Sequence, residues 1–192
     1  MPRRLKILLL GDSIRLSYQP RVARLLDGRA DVVGPSDNCQ YSLYTLSSLD
    51  RWLADLGTPD IVHWNNGLHD CGHNPGRCPV QIPVDMYVGN LRLILDRLTE
   101  LTSNVVWATI TSVHPDRPFS DDQWSWRNEE IDRYNDAARV LMEQREIPIN
   151  DLHALVRSDP DALLSEDQLH LSDAGQEACA RAVTESLSRS LP

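Results

Sequence analysis

The sequence predicts an α/β fold in which a central parallel sheet of about five strands lies between layers of helices. Short, almost continuously apolar runs alternate along the chain with longer amphipathic stretches. This alternation is typical of parallel strands that are covered on both faces and connected by crossover helices. The 192 residues contain no internal repeat, low-complexity stretch or linker. We therefore expect a single domain over residues 1–192.

Each element is predicted from its own pattern of apolar residues. Five apolar runs are predicted as strands: Leu5–Leu10, Ala30–Val33, Asp60–Trp64, Val105–Ile110 and Ile147–Leu152. Four amphipathic stretches are predicted as helices: Arg21–Leu26, Leu46–Leu56, Val84–Leu101 and Trp126–Glu146. A last helix is predicted to start near Ser172, with Asp173 as its N-cap and Gln176 three residues later, as in a capping box.

Three polar stretches between these elements are predicted as loops: Pro35–Ser42, Gly67–Pro83 and Ser112–Ser125. All three leave the carboxyl ends of predicted strands, as does the turn after Leu10. In an open α/β sheet, ligands bind beyond the carboxyl ends of the strands. Functional residues are therefore expected in these loops.

Charge and hydropathy exclude several classes of function. Asp and Glu outnumber Lys and Arg by 28 to 19, which gives a net charge of −9. This charge repels a phosphate backbone, so we expect no nucleic-acid partner. No apolar run approaches the roughly 20 residues that cross a bilayer, and the stretch Ile7–Leu10 is shorter than the roughly 7–15 residues of a secretory signal. We therefore expect a cytoplasmic protein, no membrane partner, and thiols at the four cysteines: Cys39, Cys71, Cys78 and Cys179.

Two polar turns near opposite ends of the chain contain the residue types of a nucleophilic hydrolase. Gly11-Asp12-Ser13-Ile14 follows the first predicted strand, so a serine hydroxyl lies at the sheet edge with backbone N–H groups beside it. In Asp167-Gln168-Leu169-His170 the carboxylate can fix the tautomer of the imidazole while the other ring nitrogen faces a serine. Each turn alone is better explained as a helix cap or a surface turn. Their combination at one sheet edge predicts a serine activated by a histidine base.

Polar residues also follow the third and fourth predicted strands. In His63-Trp64-Asn65-Asn66-Gly67-Leu68-His69-Asp70, either Asn66 or His69 could donate a hydrogen bond to a negatively charged oxygen. The Asn66-Gly67 pair is also an ordinary turn signal. His114 follows the fourth strand and is predicted to contact substrate, with a turn histidine as the alternative.

These motifs, and their order along the chain, resemble those of the SGNH or GDSL-type hydrolases. That family consists of serine esterases and deacylases with a flavodoxin-like, three-layer α/β/α fold. The resemblance covers nearly the whole chain. It implies that Ser13 is the nucleophile, that His170 is the general base and that Asp167 orients His170. It also implies that no metal ion or organic cofactor is needed.

The middle motifs depart from the family pattern. The third block is usually G-x-N-D, with an Asn that donates to the oxyanion. Here it reads Gly67-Leu68-His69-Asp70, which resembles a GDSL-like subgroup. The glycine N–H of the second block corresponds to Gly34 by its place at the strand end, or to Asn38-Cys39 by spacing to the next helix. The resemblance thus implies oxyanion donors among Ser13, Asn38, Cys39, Asn66 and His69, and Asp12 joins His114 as a predicted substrate contact.

The expected function is hydrolysis of a carboxylic ester through an acyl-Ser13 intermediate. The resemblance to this family suggests a substrate with a small acyl group, such as acetyl, on a carbohydrate or a small metabolite. One alternative is an O-acyltransferase that uses the same serine and histidine. Another is a non-catalytic carbohydrate-binding module on the same fold. Trp124 and Trp126 flank a polar loop and could contact sugar rings, or could simply pack against the following helix.

A third alternative is a metal-dependent hydrolase. Cys71, His73 and Cys78 lie in one loop, and His69 or Asp70 could supply a fourth zinc ligand. The spacing C-x-H-x4-C lacks the C-x2-C pairs of common zinc sites, so no metal is predicted. A Cys71–Cys78 disulfide and two free thiols are the other interpretations of this loop.

Overall fold

The computed structural model describes residues 3–74, 80–117 and 123–188. Within them, five strands form one sheet: β1 (Leu5–Leu10), β2 (Ala30–Val33), β3 (Ile61–Trp64), β4 (Val105–Ala108) and β5 (Ile149–Asn150). The strands are all parallel and lie in the order β2-β1-β3-β4-β5. This is the order of a flavodoxin-like doubly wound sheet, so the predicted three-layer α/β/α fold is confirmed.

Seven helices are found in the described ranges: α1 (Ser13–Leu25), α2 (Ser42–Leu56), α3 (Val84–Thr99), α4 (Asn128–Gln144), α5 (Leu152–Arg157), α6 (Pro160–Leu163) and α7 (Asp173–Ser188). Helices α1 and α7 pack together, while α2 packs on α3 and α3 packs on α4. The last four residues of β1 and all residues of β3 and β4 are buried. This continuous burial is why the central strands are apolar throughout rather than alternating.

Helix α1 begins at Ser13 rather than at the predicted Arg21. The Asp12 side chain accepts a hydrogen bond from the Ile14 N–H at 2.9 Å and so caps the helix directly after β1. The helix also contains Pro20, which breaks the usual sequence signal of a helix interior. Only the part of the helix after Pro20 was therefore predicted.

Several other boundaries differ from the prediction. Helix α2 begins at Ser42 rather than Leu46, and β5 covers only Ile149–Asn150 rather than Ile147–Leu152. The bounds of β3, α3 and α4 differ by one or two residues.

Two further differences have a local reason. Strand β4 ends at Ala108 rather than Ile110, because the Asn135 side chain takes both the N–H and the C=O of Ile110 at 2.8 and 3.1 Å. Helix α7 is capped by Ser172, whose hydroxyl accepts from the Gly175 N–H at 3.1 Å. Asp173, the predicted N-cap, is instead the first helical residue. The short helices α5 and α6 were not predicted.

None of the helices in the described parts of the chain has the length and apolar composition needed to span a membrane.

Candidate active site

Ser13, His170 and Asp167 form a continuous chain of hydrogen bonds. Ser13 Oγ lies 2.9 Å from His170 Nε2, and His170 Nδ1 lies 2.6 Å from Asp167 Oδ2. The Ser13 turn and the His170 loop meet because α1 starts directly after β1 and packs against α7, which the histidine loop precedes. The His170 and Asp167 side chains are 43% and 36% exposed, so the site is open to solvent.

The loop that contains Asp167 surrounds its carboxylate with donors. Oδ1 accepts hydrogen bonds from Ser165 Oγ at 2.8 Å, from the Leu169 N–H at 3.0 Å and from the His170 N–H at 2.9 Å. Burial by itself raises the pKa of Asp167, but the bonds from His170, Leu169 and Ser165 outweigh it and hold this pKa below its usual range. Gln168 adopts a left-handed conformation, with φ of 71°, that turns the loop between the two residues. The ionised carboxylate fixes Nδ1 of His170 as a donor and leaves Nε2 as an acceptor.

The turn before Ser13 is shaped by a close backbone approach. A Cβ placed on Gly11 would lie 2.7 Å from the Cβ of Arg15, so a larger residue does not fit. Ser13 is the first residue of α1, and its backbone N–H therefore has no intrahelical acceptor. The hydroxyl and this N–H both lie at the positive end of the helix dipole, which suits a developing negative charge.

Two predicted oxyanion donors are occupied by other partners. The Asn66 amide donates to Gln40 O at 3.1 Å and to Thr45 Oγ1 at 2.9 Å, so its two N–H groups bind the loop before α2 and the first turn of α2. The Cys39 N–H donates to Gly11 O at 3.2 Å. The placement of these two residues therefore argues against the predicted oxyanion role, because each of these N–H groups already donates to a protein oxygen.

Three predicted donors keep an N–H without a protein acceptor in the described parts of the chain. These are the backbone N–H groups of Ser13 and Asn38 and the partly exposed ring of His69. The Asn38 side-chain oxygen accepts from the Gln40 N–H at 2.8 Å and so fixes the loop locally. These groups remain available to a ligand oxygen.

The two predicted substrate contacts are differently placed. Asp12 is only 1% exposed, and one carboxylate oxygen caps α1. Asp12 is therefore placed to cap α1, and its predicted contact with substrate stays a prediction. His114 is 7% exposed; Nδ1 accepts from the Asp116 N–H at 3.2 Å, and Nε2 donates to Asp161 Oδ1 at 3.1 Å. With both ring nitrogens engaged, His114 can offer a ligand only its carbon edge.

The chain matches the model of the GDSL-like lipase/acylhydrolase family over residues 9–178, which include Ser13, Asp167 and His170. The chain belongs to the GDSL-like lipase/acylhydrolase family. Membership makes it a carboxylic ester hydrolase. The match does not separate the subgroup that was predicted from Gly67-Leu68-His69-Asp70, which stays a prediction.

Solved structures show that this GDSL-like fold is shared with esterases of low sequence identity. An acetyl xylan esterase, AlAXEase, superposes with a TM-score of 0.79 at 17% identity, covering 95% of this chain and 100% of the other. A lipase/acylhydrolase from Enterococcus faecalis gives 0.75 at 20% identity, covering 98% and 97%. The acetylxylan esterase Axe2 from Geobacillus stearothermophilus gives 0.75 at 16% identity, covering 95% and 94%. No curated protein sequence gives a significant match.

A cleft of about 440 Å³ lies beside the catalytic loop of this GDSL-like hydrolase. Its walls include His114, Trp126 and Arg127. The segment that forms one wall contacts the catalytic loop, because the His114 N–H donates to Gln168 O at 3.1 Å. Trp126 is stacked on Trp124 with ring centroids 6.2 Å apart, and its indole N–H donates to Leu68 O at 2.6 Å. The cleft thus has Trp126 in its wall and is connected to the loop that contains His170 through the His114–Gln168 hydrogen bond.

The metal alternative rests on residues that the structure only partly describes. Among the described residues, no three or more His, Cys, Asp or Glu side chains are grouped to hold a metal ion. His73 pairs with Glu130, and Cys71 is a buried thiol. Cys78 lies outside the described residues, so the zinc and disulfide interpretations of this loop stay untested.

Two buried charged residues shape the site, although sequence reasoning gave them no structural role. Asp70 is completely buried, and its carboxylate accepts from the Ser42 N–H at 3.1 and 2.9 Å, so it caps α2 from the loop after β3. Burial raises the pKa of Asp70 to about 7, against the opposing effect of the bonds from Ser42. Arg15 is 1% exposed and lies beneath the turn that contains Ser13. The only feature of the sequence that pointed to Arg15 was its position two residues after Ser13.

Proposed function

We propose that this chain hydrolyses a carboxylic ester with a small acyl group, such as acetyl, on a carbohydrate or small metabolite. The observation that carries the proposal is the hydrogen-bonded chain from Ser13 Oγ through His170 to Asp167, at 2.9 and 2.6 Å. A serine hydroxyl is a poor nucleophile until a base accepts its proton, and this arrangement supplies one. The preference for a small acyl group is supported by the acetyl xylan esterases that share the fold.

In the first half of the reaction, Ser13 Oγ attacks the acyl carbon while its proton moves to His170 Nε2. Asp167 stabilises the resulting imidazolium through Nδ1. The carbonyl oxygen gains negative charge as the tetrahedral intermediate forms, and preorganised N–H groups stabilise that charge. The candidates are the N–H groups of Ser13 and Asn38 and the ring of His69. The intermediate collapses when the alkoxide leaves and takes the proton from His170, which leaves an acyl-Ser13 ester.

In the second half, water replaces the alcohol. His170 Nε2 removes a proton from the water as the water oxygen attacks the acyl carbon. The second tetrahedral intermediate collapses, Ser13 Oγ takes the proton back from His170, and the carboxylic acid leaves. If an acceptor alcohol attacks in place of water, the same residues transfer the acyl group instead. In either case the substrate is a small ester. A cytoplasmic location stays a prediction from the sequence.

A p-nitrophenyl ester series from acetate to decanoate tests the proposal on the wild type and on Ser13→Ala. We expect hydrolysis of the shortest esters, and a loss of kcat of several orders of magnitude in Ser13→Ala, because the nucleophile is gone. Ser17→Ala, one turn further along α1, is the matched control and should keep wild-type rates. Activity in Ser13→Ala equal to that of the wild type would overturn the proposal.

The same assay separates hydrolysis from acyl transfer. With a candidate acceptor alcohol present, a hydrolase releases the free acid, whereas a transferase forms the acylated acceptor. Product analysis by mass spectrometry, with and without acceptor, distinguishes the two. If the wild type hydrolyses none of the esters, and the wild type and Ser13→Ala bind a glycan equally well, the protein is instead a carbohydrate-binding module.

A further inference from the structure

A buried guanidinium lies beneath the turn that contains Ser13. Arg15 is 1% exposed, and among the described residues no carboxylate forms an ion pair with it. Its N–H groups instead bind backbone carbonyls, the Gln19 side-chain oxygen at 2.9 Å and Cys39 Sγ at 3.5 Å. Nε and Nη2 donate to Gly11 O at 3.3 and 3.1 Å, Nη1 donates to Pro35 O at 2.9 Å, and Nη2 donates to Asp37 O at 2.9 Å. Taking a charge out of water is costly, and this fork of donors is the compensation.

These bonds orient the loop between β2 and α2. A peptide group is planar and trans, so its C=O and its N–H point in opposite directions. Arg15 draws the Asp37 carbonyl inward, and the Asn38 N–H of the same peptide group must therefore point away from the guanidinium. This is the N–H that no described residue accepts. The next N–H, that of Cys39, donates to Gly11 O at 3.2 Å.

The same guanidinium also holds the catalytic turn. Gly11 O, which accepts from Arg15 and from the Cys39 N–H, lies two residues before Ser13. Arg15 thus connects the turn that presents the Ser13 N–H to the loop that presents the Asn38 N–H. Both N–H groups are fixed relative to each other by one planar side chain, whose five donors match several carbonyls at once.

We propose that Arg15 is a positioning residue that aligns the Asn38 N–H with the Ser13 N–H as a pair of oxyanion donors. The inference rests on the proposed function, since an oxyanion forms only if Ser13 attacks an ester. Arg15 itself does not touch the substrate. Its contribution is made in the transition state, when the carbonyl oxygen becomes negative and needs both N–H groups at once.

The test measures kcat and KM for p-nitrophenyl acetate in Arg15→Lys and Arg15→Met. Lys keeps the positive charge but lacks the planar fork, and Met keeps an unbranched side chain without donors. Rates are divided by the number of active sites titrated with a serine-reactive phosphonate, which removes the effect of any misfolded fraction. We expect kcat per titrated site to fall by about 10²-fold, with KM within about 3-fold of wild type. Arg24→Met, on the exposed side of the same helix, is the matched control and should keep wild-type kcat.

Asn38→Pro tests the same claim with Arg15 in place, because proline has no N–H to donate. It should fall well below Asn38→Ala, which loses only the side chain, and adding Arg15→Lys to it should lower kcat little further. An unchanged kcat per titrated site in the Arg15 variants, or in Asn38→Pro, would overturn the proposal. If Ser13→Ala stays fully active, the proposed function fails first and this inference fails with it. If Ser13→Ala is inactive and the Arg15 variants are not, only the inference fails.

Discussion

Replacement of Asp70 by Asn should change how the stability of the fold depends on pH. The Asp70 carboxyl is completely buried and caps α2 through the Ser42 N–H. Burial raises its pKa from 3.8 to about 7. The folded chain therefore holds this proton more tightly than the unfolded chain does. The stability that results is fully present below pH 3.8 and is lost as the pH rises through 7. An asparagine at position 70 resembles the protonated carboxyl at every pH.

The size of the effect follows from the two pKa values. Proton linkage with values of 3.8 and 7 means that wild type loses about 2–3 kcal/mol of unfolding free energy through Asp70 between pH 5 and pH 8. Asp70→Asn lacks this loss. The difference in unfolding free energy between variant and wild type should therefore shift in favour of the variant by about 2–3 kcal/mol over that range.

Urea unfolding of both proteins at pH 5 and pH 8, followed by far-UV circular dichroism, measures this difference directly. Comparing the two proteins cancels the titration of every other group. Asp55→Asn, at an exposed position of α2, is the matched control and should shift the difference by less than about 0.5 kcal/mol. If Asp70→Asn and wild type lose the same free energy between pH 5 and pH 8, the argument from burial is wrong.

Three further predictions concern the catalytic chain and the packing of helices. His170→Ala should lower kcat by orders of magnitude, and Ser13→Ala/His170→Ala should be little worse than either single variant, because the residues act as one unit; losses that multiply would contradict this. Asp167→Asn should lower kcat by about 10²- to 10⁴-fold in ester assays while KM changes little, since the ionised carboxylate fixes the imidazole tautomer; a wild-type kcat would count against that role. A Cβ on Gly175 would lie 2.0 Å from Leu163 O, so Gly175→Ala should cost several kcal/mol in urea unfolding. A Cβ on Gly89 of α3 meets nothing within 4 Å, so Gly89→Ala should stabilise the fold by about 0.5–1 kcal/mol; equal effects at the two glycines would refute the packing argument.

The central sheet could be predicted because burial on both faces leaves a plain sequence signal. Leu5–Leu10 and Ala30–Val33 were predicted with the boundaries that the structure shows. Boundaries set by a single side-chain contact could not be predicted in this way. Strand β4 stops where Asn135 takes the backbone groups of Ile110, and that contact joins residues 25 positions apart.

The contact between Ser13, His170 and Asp167 could be predicted because each turn is a local motif, and strand order brings the two turns to one edge of the sheet. The oxyanion donors could not be predicted, because tertiary contacts decide which candidate N–H groups are free to bind a ligand oxygen. Asn66 was a reasonable candidate by type, yet its amide binds Gln40 O and Thr45 Oγ1. The Asn38 N–H has no acceptor among the described residues, and Arg15 binds the carbonyl oxygen of the same peptide group. No periodicity or motif in the sequence reports that orientation.

The most direct test of the account is to find which residue a serine-reactive phosphonate modifies. Peptide mapping by mass spectrometry should place a single adduct on Ser13 in the wild type and in Ser17→Ala, and none in Ser13→Ala. His170→Ala should react far more slowly, because the hydroxyl loses its base. An adduct on a different residue, or a Ser13→Ala protein that is modified as fast as wild type, would contradict the assignment of Ser13 as the nucleophile.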